Sequence, residues 1–463
     1  MKKTTKIFAF IVTIITMFMA MTIVSSASYY EYESNNDYAS ANTLGVNNSI
    51  VGNLSNMYDA DFYKIVAPSN GKLTIRINHE YVSNGAWTVV LYKYENGQYN
   101  NLGATQVNSY GNETVSVPTI GAKANGVYYI KVSTGTSNVE GYEYTLTAGF
   151  VSTNYYEKEL NDDYATATAI SVNNQYGGVM HRMYDTDYYK IVAPSKGKLT
   201  IQINHAYNSN GSWSVVLYKY SNGQYSSLTS AHVNAYNSEA TILTSVGTVT
   251  NGVYYVKVST GSSEAVGVEY KIKARFGYDI NNDGVVNSKD TGLYKIGGVW
   301  RYVKSGEPSN SFTGLCKRGN YWYYVNKGIV DFDYTGLAKR SDKWYYVEDG
   351  KVDFSYTGLC KYGKKWYYVE DGRVDFTFTG LCKYNKKWYY VEDGIVDKTY
   401  MGLCKRNGTW YYVNKGVVDF SYTGFCKRNG KWYYVDDGRV NFKYTGYVKY
   451  NGKTYKVVKG VKV

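Results

Sequence analysis

Asp279, Asn281, Asp283, Asn287 and Asp290 occupy positions 1, 3, 5, 9 and 12 of a single short stretch, with Gly284 at position 6. Hard oxygen donors at those intervals, around a glycine that allows a sharp turn, suit a calcium ion, and Val285 at position 7 would add its backbone carbonyl. An Asn/Asp-rich turn without metal is the alternative. Downstream, Trp322, Trp344, Trp366, Trp388, Trp410 and Trp432 recur every 22 residues, each opening a Trp-Tyr-Tyr run such as Trp432-Tyr433-Tyr434. Sugar rings stack on exposed aromatic faces, and neighbouring Lys427, Arg428 and Lys431 could meet phosphate or carboxylate groups. The competing reading puts the Trp and the second Tyr of each run in a core.

Catalytic constellations are missing from the sequence. The four histidines, His79, His181, His205 and His232, form no HExxH spacing, and neither a G-x-S-x-G elbow nor a Walker A loop occurs. The chain reads as a binding protein rather than an enzyme.

The elements that would position these residues follow from composition and repetition. Among 463 residues there are 56 Tyr, 46 Gly and only 4 Pro, in short apolar runs broken by Gly and Asn, which favours β-structure. Lys2, Lys3 and Lys6, the apolar run Ile7 to Val24 and the small residues Ser25-Ser26-Ala27 predict a secretory signal peptide over 1–27, with an uncleaved anchor as the alternative. Cleavage would leave no transmembrane segment.

Residues 28–150 and 151–277 are one sequence written twice at an offset of 126. Met57-Tyr58-Asp59-Ala60-Asp61 returns as Met183-Tyr184-Asp185-Thr186-Asp187, and Trp87 returns as Trp213. Alternating stretches such as Lys72-Leu73-Thr74-Ile75-Arg76-Ile77 predict half-buried strands, so each copy is expected to be an antiparallel β-sandwich of jelly-roll type.

Each copy resembles the bacterial pre-peptidase C-terminal domain, known also as a collagen-binding module. The resemblance rests on Glu157-Lys158-Glu159-Leu160-Asn161-Asp162-Asp163, on Asp185-Thr186-Asp187-Tyr188-Tyr189, and on Trp213-Ser214-Val215-Val216-Leu217-Tyr218. It implies calcium held by Glu157, Glu159, Asn161, Asp162 and Asp187, and by Glu31, Glu33, Asn35, Asn36 and Asp61 in the first copy. Acidic residues that merely cap turns are the alternative. One aspartate of the family's downstream cluster is here Tyr58 or Tyr184. The loop over 278–290 resembles one half of a type I dockerin, of which only one copy is present.

Residues 291–463 form a tandem array with a period of 22, its units starting at Thr291, Thr313, Thr335, Thr357, Thr379, Met401, Thr423 and Thr445. Asn429-Gly430 and Asp437-Gly438 predict tight turns, so each unit is a hairpin plus connector that buries its faces only by stacking on neighbours, a β-hairpin solenoid. The units resemble the cell-wall-binding or choline-binding repeat of Gram-positive surface proteins. That resemblance implies aromatic cages, although the residue after the first Gly, aromatic in choline binders, is Leu at 293, 315, 337, 359, 381 and 403. Cys316, Cys360, Cys382, Cys404 and Cys426 share one position of the unit and read as small buried hydrophobes, with a ladder of bridges between adjacent units as the alternative.

The fold class is therefore all-β: two sandwiches, a calcium loop and a solenoid. The stretch 291–463 carries 31 Lys+Arg against 16 Asp+Glu, while the rest carries 20 against 22. A basic, exported array points to an anionic partner, a cell-wall glycopolymer or other polysaccharide, and not to nucleic acid, with a merely solvated charged surface as the alternative. The expected protein is secreted, extracellular or wall-associated, and displays the sandwiches as binding modules. The alternatives are an adhesin or toxin-like binder of host glycan, collagen or other extracellular matrix protein, and a dockerin-type accessory module in polysaccharide degradation.

Overall fold

The computed structural model describes residues 29–110, 114–117, 119–206, 211–234 and 240–463. The signal segment over 1–27 lies outside them. Strands dominate, the described residues contain no α-helix, and no helix among them is long and apolar enough to cross a membrane.

The first copy is a sandwich of two sheets. In one, Ser49–Asn53, Glu143–Ser152 and Gly71–His79 lie side by side; in the other, Ala60–Val66, Val127–Ser133, Ala86–Glu95 and Gln98–Asn108 do. Lys72 to Ile77 alternate as expected, with Leu73, Ile75 and Ile77 fully buried and the residues between them turned outward. Trp87 fills the centre, its ring 4.5 Å from the buried His79. Asn96 and Gly97 both take positive φ in the turn between Ala86–Glu95 and Gln98–Asn108, as a type I′ hairpin requires.

The second copy repeats this order, with Thr186–Val192, Val253–Ser259, Ser212–Ser221 and Gln224–Asn234 in one sheet and Gln175–Val179, Glu269–Tyr278 and Gly197–His205 in the other. Trp213 and His205 repeat the Trp87 and His79 pair at 4.7 Å.

The repeat array forms a continuous sheet of 24 strands in chain order. One unit contributes Gly424–Arg428, Lys431–Asp436 and Arg439–Val440. Asn429 and Gly430, and then Asp437 and Gly438, have positive φ, so both turns are of the type their sequence predicts. The core is made between units: Leu337 and Tyr346 of one meet Cys360 and Val369 of the next, and Leu359 and Tyr368 then meet Cys382 and Val391. Main-chain bonds cross the same boundaries, as from Tyr346 N–H to Gly372 carbonyl at 2.9 Å and from Tyr368 N–H to Gly394 at 2.8 Å. Stability is thus built from nearest-neighbour interfaces.

Candidate cation sites and aromatic grooves

In the second sandwich the acidic lead-in segment and the start of Thr186–Val192 converge. Glu157, Glu159, Asn161, Asp185 and Asp187 are all at most 1 % exposed. Oxygens of Glu157, Glu159 and Asp187 lie within 4.8 Å of one another. Glu157 accepts a hydrogen bond from Val179 N–H at 2.7 Å and one from the Tyr189 hydroxyl at 3.1 Å, and the Tyr270 hydroxyl donates to Asp187. The two hydroxyls are themselves 2.7 Å apart. Each has one proton, so with both carboxylates ionised that contact would have none; the cluster has to retain a proton or take up a cation. Burial and then the charge of Asp187 push Glu157 well above the usual carboxylate range, and burial and then Asp185 do the same to Asp187. Glu159 Oε2, Asp187 Oδ1, Asp162 Oδ1 and both amide atoms of Asn161 are buried without a partner. Orphaned, converging oxygens suit a hard cation.

The first sandwich builds a looser version. Tyr63 donates to Glu31, Tyr144 donates to Asp61, and these hydroxyls are also 2.7 Å apart. Asn35 and Asp61 are fully buried and each keeps an unpartnered Oδ1, whereas Glu33 and Asn36 are exposed. Oxygens of Glu31, Glu33 and Asp61 still come within 4.8 Å of one another. Burial, then the neighbouring Glu31, raises Asp61 to about 8. Of the sequence-expected residues, the structure brings together Glu157, Glu159 and Asp187 in the second copy and Glu31, Glu33 and Asp61 in the first, where Asn35 also bonds Glu31; Asn36 is turned outward and Asp162 is partly paired with Arg182 at 3.3 Å.

Sequence reasoning missed three participants: the buried tyrosine pairs, Asp185 and His181. His181 Nδ1 is 3.0 Å from Glu159 Oε1 and 2.7 Å from Asp185 Oδ2. Burial opposes its charge, but hydrogen bonds to Asp185 and Glu159 outweigh burial and push it up to about 10. The available signal was the repeat offset, because the equivalent residue of the first copy is Ser55.

In the loop, Asp290 is fully buried and accepts from Ile280 N–H at 2.8 Å and Asn287 N–H at 2.9 Å, which closes the ring of residues. Asp279 accepts from Gly284 N–H at 2.9 Å and keeps Oδ1 buried and unpartnered. Asn281 and Asp283 bond one another, Asn287 caps Lys289 N–H, and Val285 is exposed. Asp279 Oδ2 also lies 3.6 Å from the Lys196 ammonium. The chain then enters the strand Gly292–Ile296 instead of a helix.

Along the array the Trp residues are half-buried, and Trp432 is 40 % exposed. The expectation that Trp and second Tyr are core is met by the second Tyr, as at Tyr346, Tyr368 and Tyr390, and not by the Trp. Tyr433 is half-buried, its ring 6.1 Å from Phe442. What covers six of the indoles, Trp300 to Trp410, comes from the next unit. Arg318, Arg340, Arg406 and Arg428 place their guanidinium 3.9, 3.9, 4.1 and 3.7 Å from the ring centres of Trp300, Trp322, Trp388 and Trp410. At Trp344 and Trp366 the same position is Tyr362 and Tyr384, with rings at 4.6 and 4.7 Å. Two kinds of groove result. One, of about 200 Å³, is lined by Leu293, Trp300, Arg318, Tyr323, Val330 and Phe332; the other, of about 130 Å³, by Leu359, Trp366, Tyr384, Tyr389, Val396 and Lys398.

Comparison with known proteins agrees with this periodicity. The choline-binding repeat family matches residues 311–331, 333–353, 355–375, 377–397, 399–419 and 421–441. Among solved structures, the pre-peptidase C-terminal domain of collagenase from Bacillus anthracis is 24 % identical, covers 23 % of this chain and 93 % of its own, and has a TM-score of 0.18. The CBM22 tandem of Paenibacillus barcinonensis Xyn10C is 10 % identical, over 48 % of this chain and 84 % of its own, at 0.17. The comparison with curated proteins gave no match. In sequence, the C-terminal region is thus similar to the choline-binding repeat over six consecutive units between residues 311 and 441.

Proposed function

We propose that this chain is a secreted, non-catalytic surface protein whose C-terminal repeats bind an anionic envelope glycopolymer or related polysaccharide, and whose two sandwiches are calcium-stiffened binding modules. The observation that carries the reading is the guanidinium stacked on four of the Trp rings. A quaternary ammonium entering those grooves would meet a resident cation on the aromatic face it needs. A carboxylate or phosphate beside a sugar ring would instead find both an N–H fork and an aromatic wall. The array's excess of Lys and Arg acts in the same direction.

Calcium is proposed on the donor set. Glu157, Glu159, Asn161, Asp162 and Asp187 would hold it in the second sandwich, and Glu31, Asn35 and Asp61, joined by Glu33, in the first. In the loop the donors would be Asp279, Asn281, Asp283, Asn287, Asp290 and the Val285 carbonyl. The ion would supply the positive charge that the buried carboxylates lack. It would also fix the tandem, since Glu159 N–H bonds Gly121 carbonyl at 3.0 Å and the buried Lys93 ammonium bonds Glu159 carbonyl.

Co-sedimentation of the full chain with Gram-positive cell walls tests the reading. Binding should be lost when anionic polymers are stripped and should weaken with salt but not with choline. Binding that choline alone abolishes would overturn the ligand assignment, and retention on collagen with none on any wall would favour the matrix adhesin.

A further inference from the structure

The two sandwiches differ at one place in their cation clusters, and we infer that the second carries a separate mixed nitrogen and oxygen site for a first-row transition ion such as zinc. Its ligands are His181 Nδ1, Glu159 and Asp185. The three ligand atoms lie within 4.8 Å of one another, and each of these residues is 1 % exposed. Nδ1 has two carboxylate oxygens within hydrogen-bond reach, at 3.0 and 2.7 Å, but at most one proton to offer them. Those separations are close to the ligand-to-ligand edges, roughly 3.3 Å, of a tetrahedral ion bound at about 2.0–2.1 Å, so a small outward relaxation admits the ion.

Imidazole marks the class of metal. Calcium takes oxygen ligands, whereas a nitrogen beside two carboxylates suits zinc, cobalt or nickel. The first sandwich lacks the nitrogen: Ser55 stands where His181 does, and its hydroxyl bonds Asp59 Oδ2 at 2.7 Å, while the backbone N–H bond to this carboxylate is common to both copies, 2.7 Å from Ser55 to Asp59 and 2.8 Å from His181 to Asp185. Glu159 has a second independent feature. Its Oε1 faces His181, its buried Oε2 is unpartnered, and the residue also groups with Glu157 and Asp187. One carboxylate can therefore bridge a nitrogen-containing site and the all-oxygen site beside it. The inference stands apart from the calcium proposal, because His181, Glu159 and Asp185 would hold their ion whether or not the neighbouring site is filled.

The test uses the full chain stripped of metal and dialysed against cobalt or zinc in excess calcium. One transition ion per chain should remain, and bound cobalt should show visible bands of nitrogen and oxygen ligation without the near-ultraviolet thiolate band that the cysteines would give. His181→Ser, which installs the first copy's residue, should lower zinc affinity by about 100-fold or more. Should His181→Ser fail to fold by circular dichroism, Asp185→Asn must produce the same loss. Zinc content unchanged in a folded variant, displacement of zinc by excess calcium, or a thiolate spectrum would overturn the assignment.

Discussion

The guanidinium of Arg428 lies 3.7 Å from the centre of the Trp410 ring, one unit earlier in the chain, and one of its N–H groups donates to the Leu403 carbonyl at 2.8 Å. The contact covers the indole from one side, and the equivalent pair Trp300 and Arg318 puts a positive charge in the wall of a groove. Residue identity at this single column, Arg or Tyr, thereby sets the character of each groove without altering the backbone.

Arg428→Ala should destabilise the array by about 1 kcal/mol, the scale of a partly exposed cation–π contact, and Trp410→Ala by about 3 kcal/mol. Urea unfolding checks both. Arg428→Lys should not recover the loss, because an ammonium cannot lie flat on the ring.

Exchanging the column should exchange the ligand preference. Tyr384→Arg is expected to strengthen binding to anionic polymer and steepen its salt dependence, and Arg340→Tyr to weaken it, each by roughly threefold to tenfold for one charge among several. Titration against purified wall polymer at two ionic strengths reads the change.

Calcium should raise the melting temperature of the sandwiches, by an amount equivalent to about 2.7 kcal/mol at one hundred times the dissociation constant. Asp187→Asn should remove the part of the shift due to the second copy, and Asp61→Asn the part due to the first. Equal shifts in both variants and the parent would show that calcium acts elsewhere.

The two turns of a unit should respond differently to alanine. A Cβ at Gly430 meets nothing within 4 Å, so Gly430→Ala should cost only the left-handed backbone, about 1 to 2 kcal/mol. At Gly438, where φ is also positive, the new Cβ would stand 2.4 Å from the Asp419 carbonyl oxygen of the preceding unit. Gly438→Ala should therefore cost several-fold more and disrupt a unit boundary.

The cysteines should be slow nucleophiles. Burial raises the Cys360 thiol to about 11 and also raises Cys316, Cys382, Cys404 and Cys426. A thiol raised in the folded state is uncharged at neutral pH, and its thiolate fraction grows only as pH climbs toward that value. Alkylation of the native array should be slow at pH 7, accelerate steadily above pH 9, and become fast at any of these pH values in denaturant.

Much of this architecture was legible because its determinants are local. Asn429-Gly430 and Asp437-Gly438 dictate their turns through backbone preference alone, and the Lys72 to Ile77 alternation follows from strand geometry. Glu157, Glu159 and Asp187, and Glu31, Glu33 and Asp61 in the first copy, were found through the resemblance of their motif and do lie together. Contacts between residues far apart in sequence were not legible. His181 looks unremarkable until the fold places it against Glu159, 22 residues earlier, and Arg428 reaches Trp410 only because consecutive units stack. The half-burial of Trp300 to Trp410 escaped strand alternation for the same reason: their outer face is covered by the following unit's Arg or Tyr.

The main-chain bonds that join units, Tyr346 to Gly372 and Tyr368 to Gly394 among them, recur with constant spacing. Excising one whole period from within the array would reunite equivalent donors and acceptors, whereas excising one residue fewer would turn the side chains of the strand at the joint to the wrong face. Length is thus quantised. The molecule can be shortened or extended like a measuring chain, one link at a time, and each link added or removed changes its span and its number of grooves together.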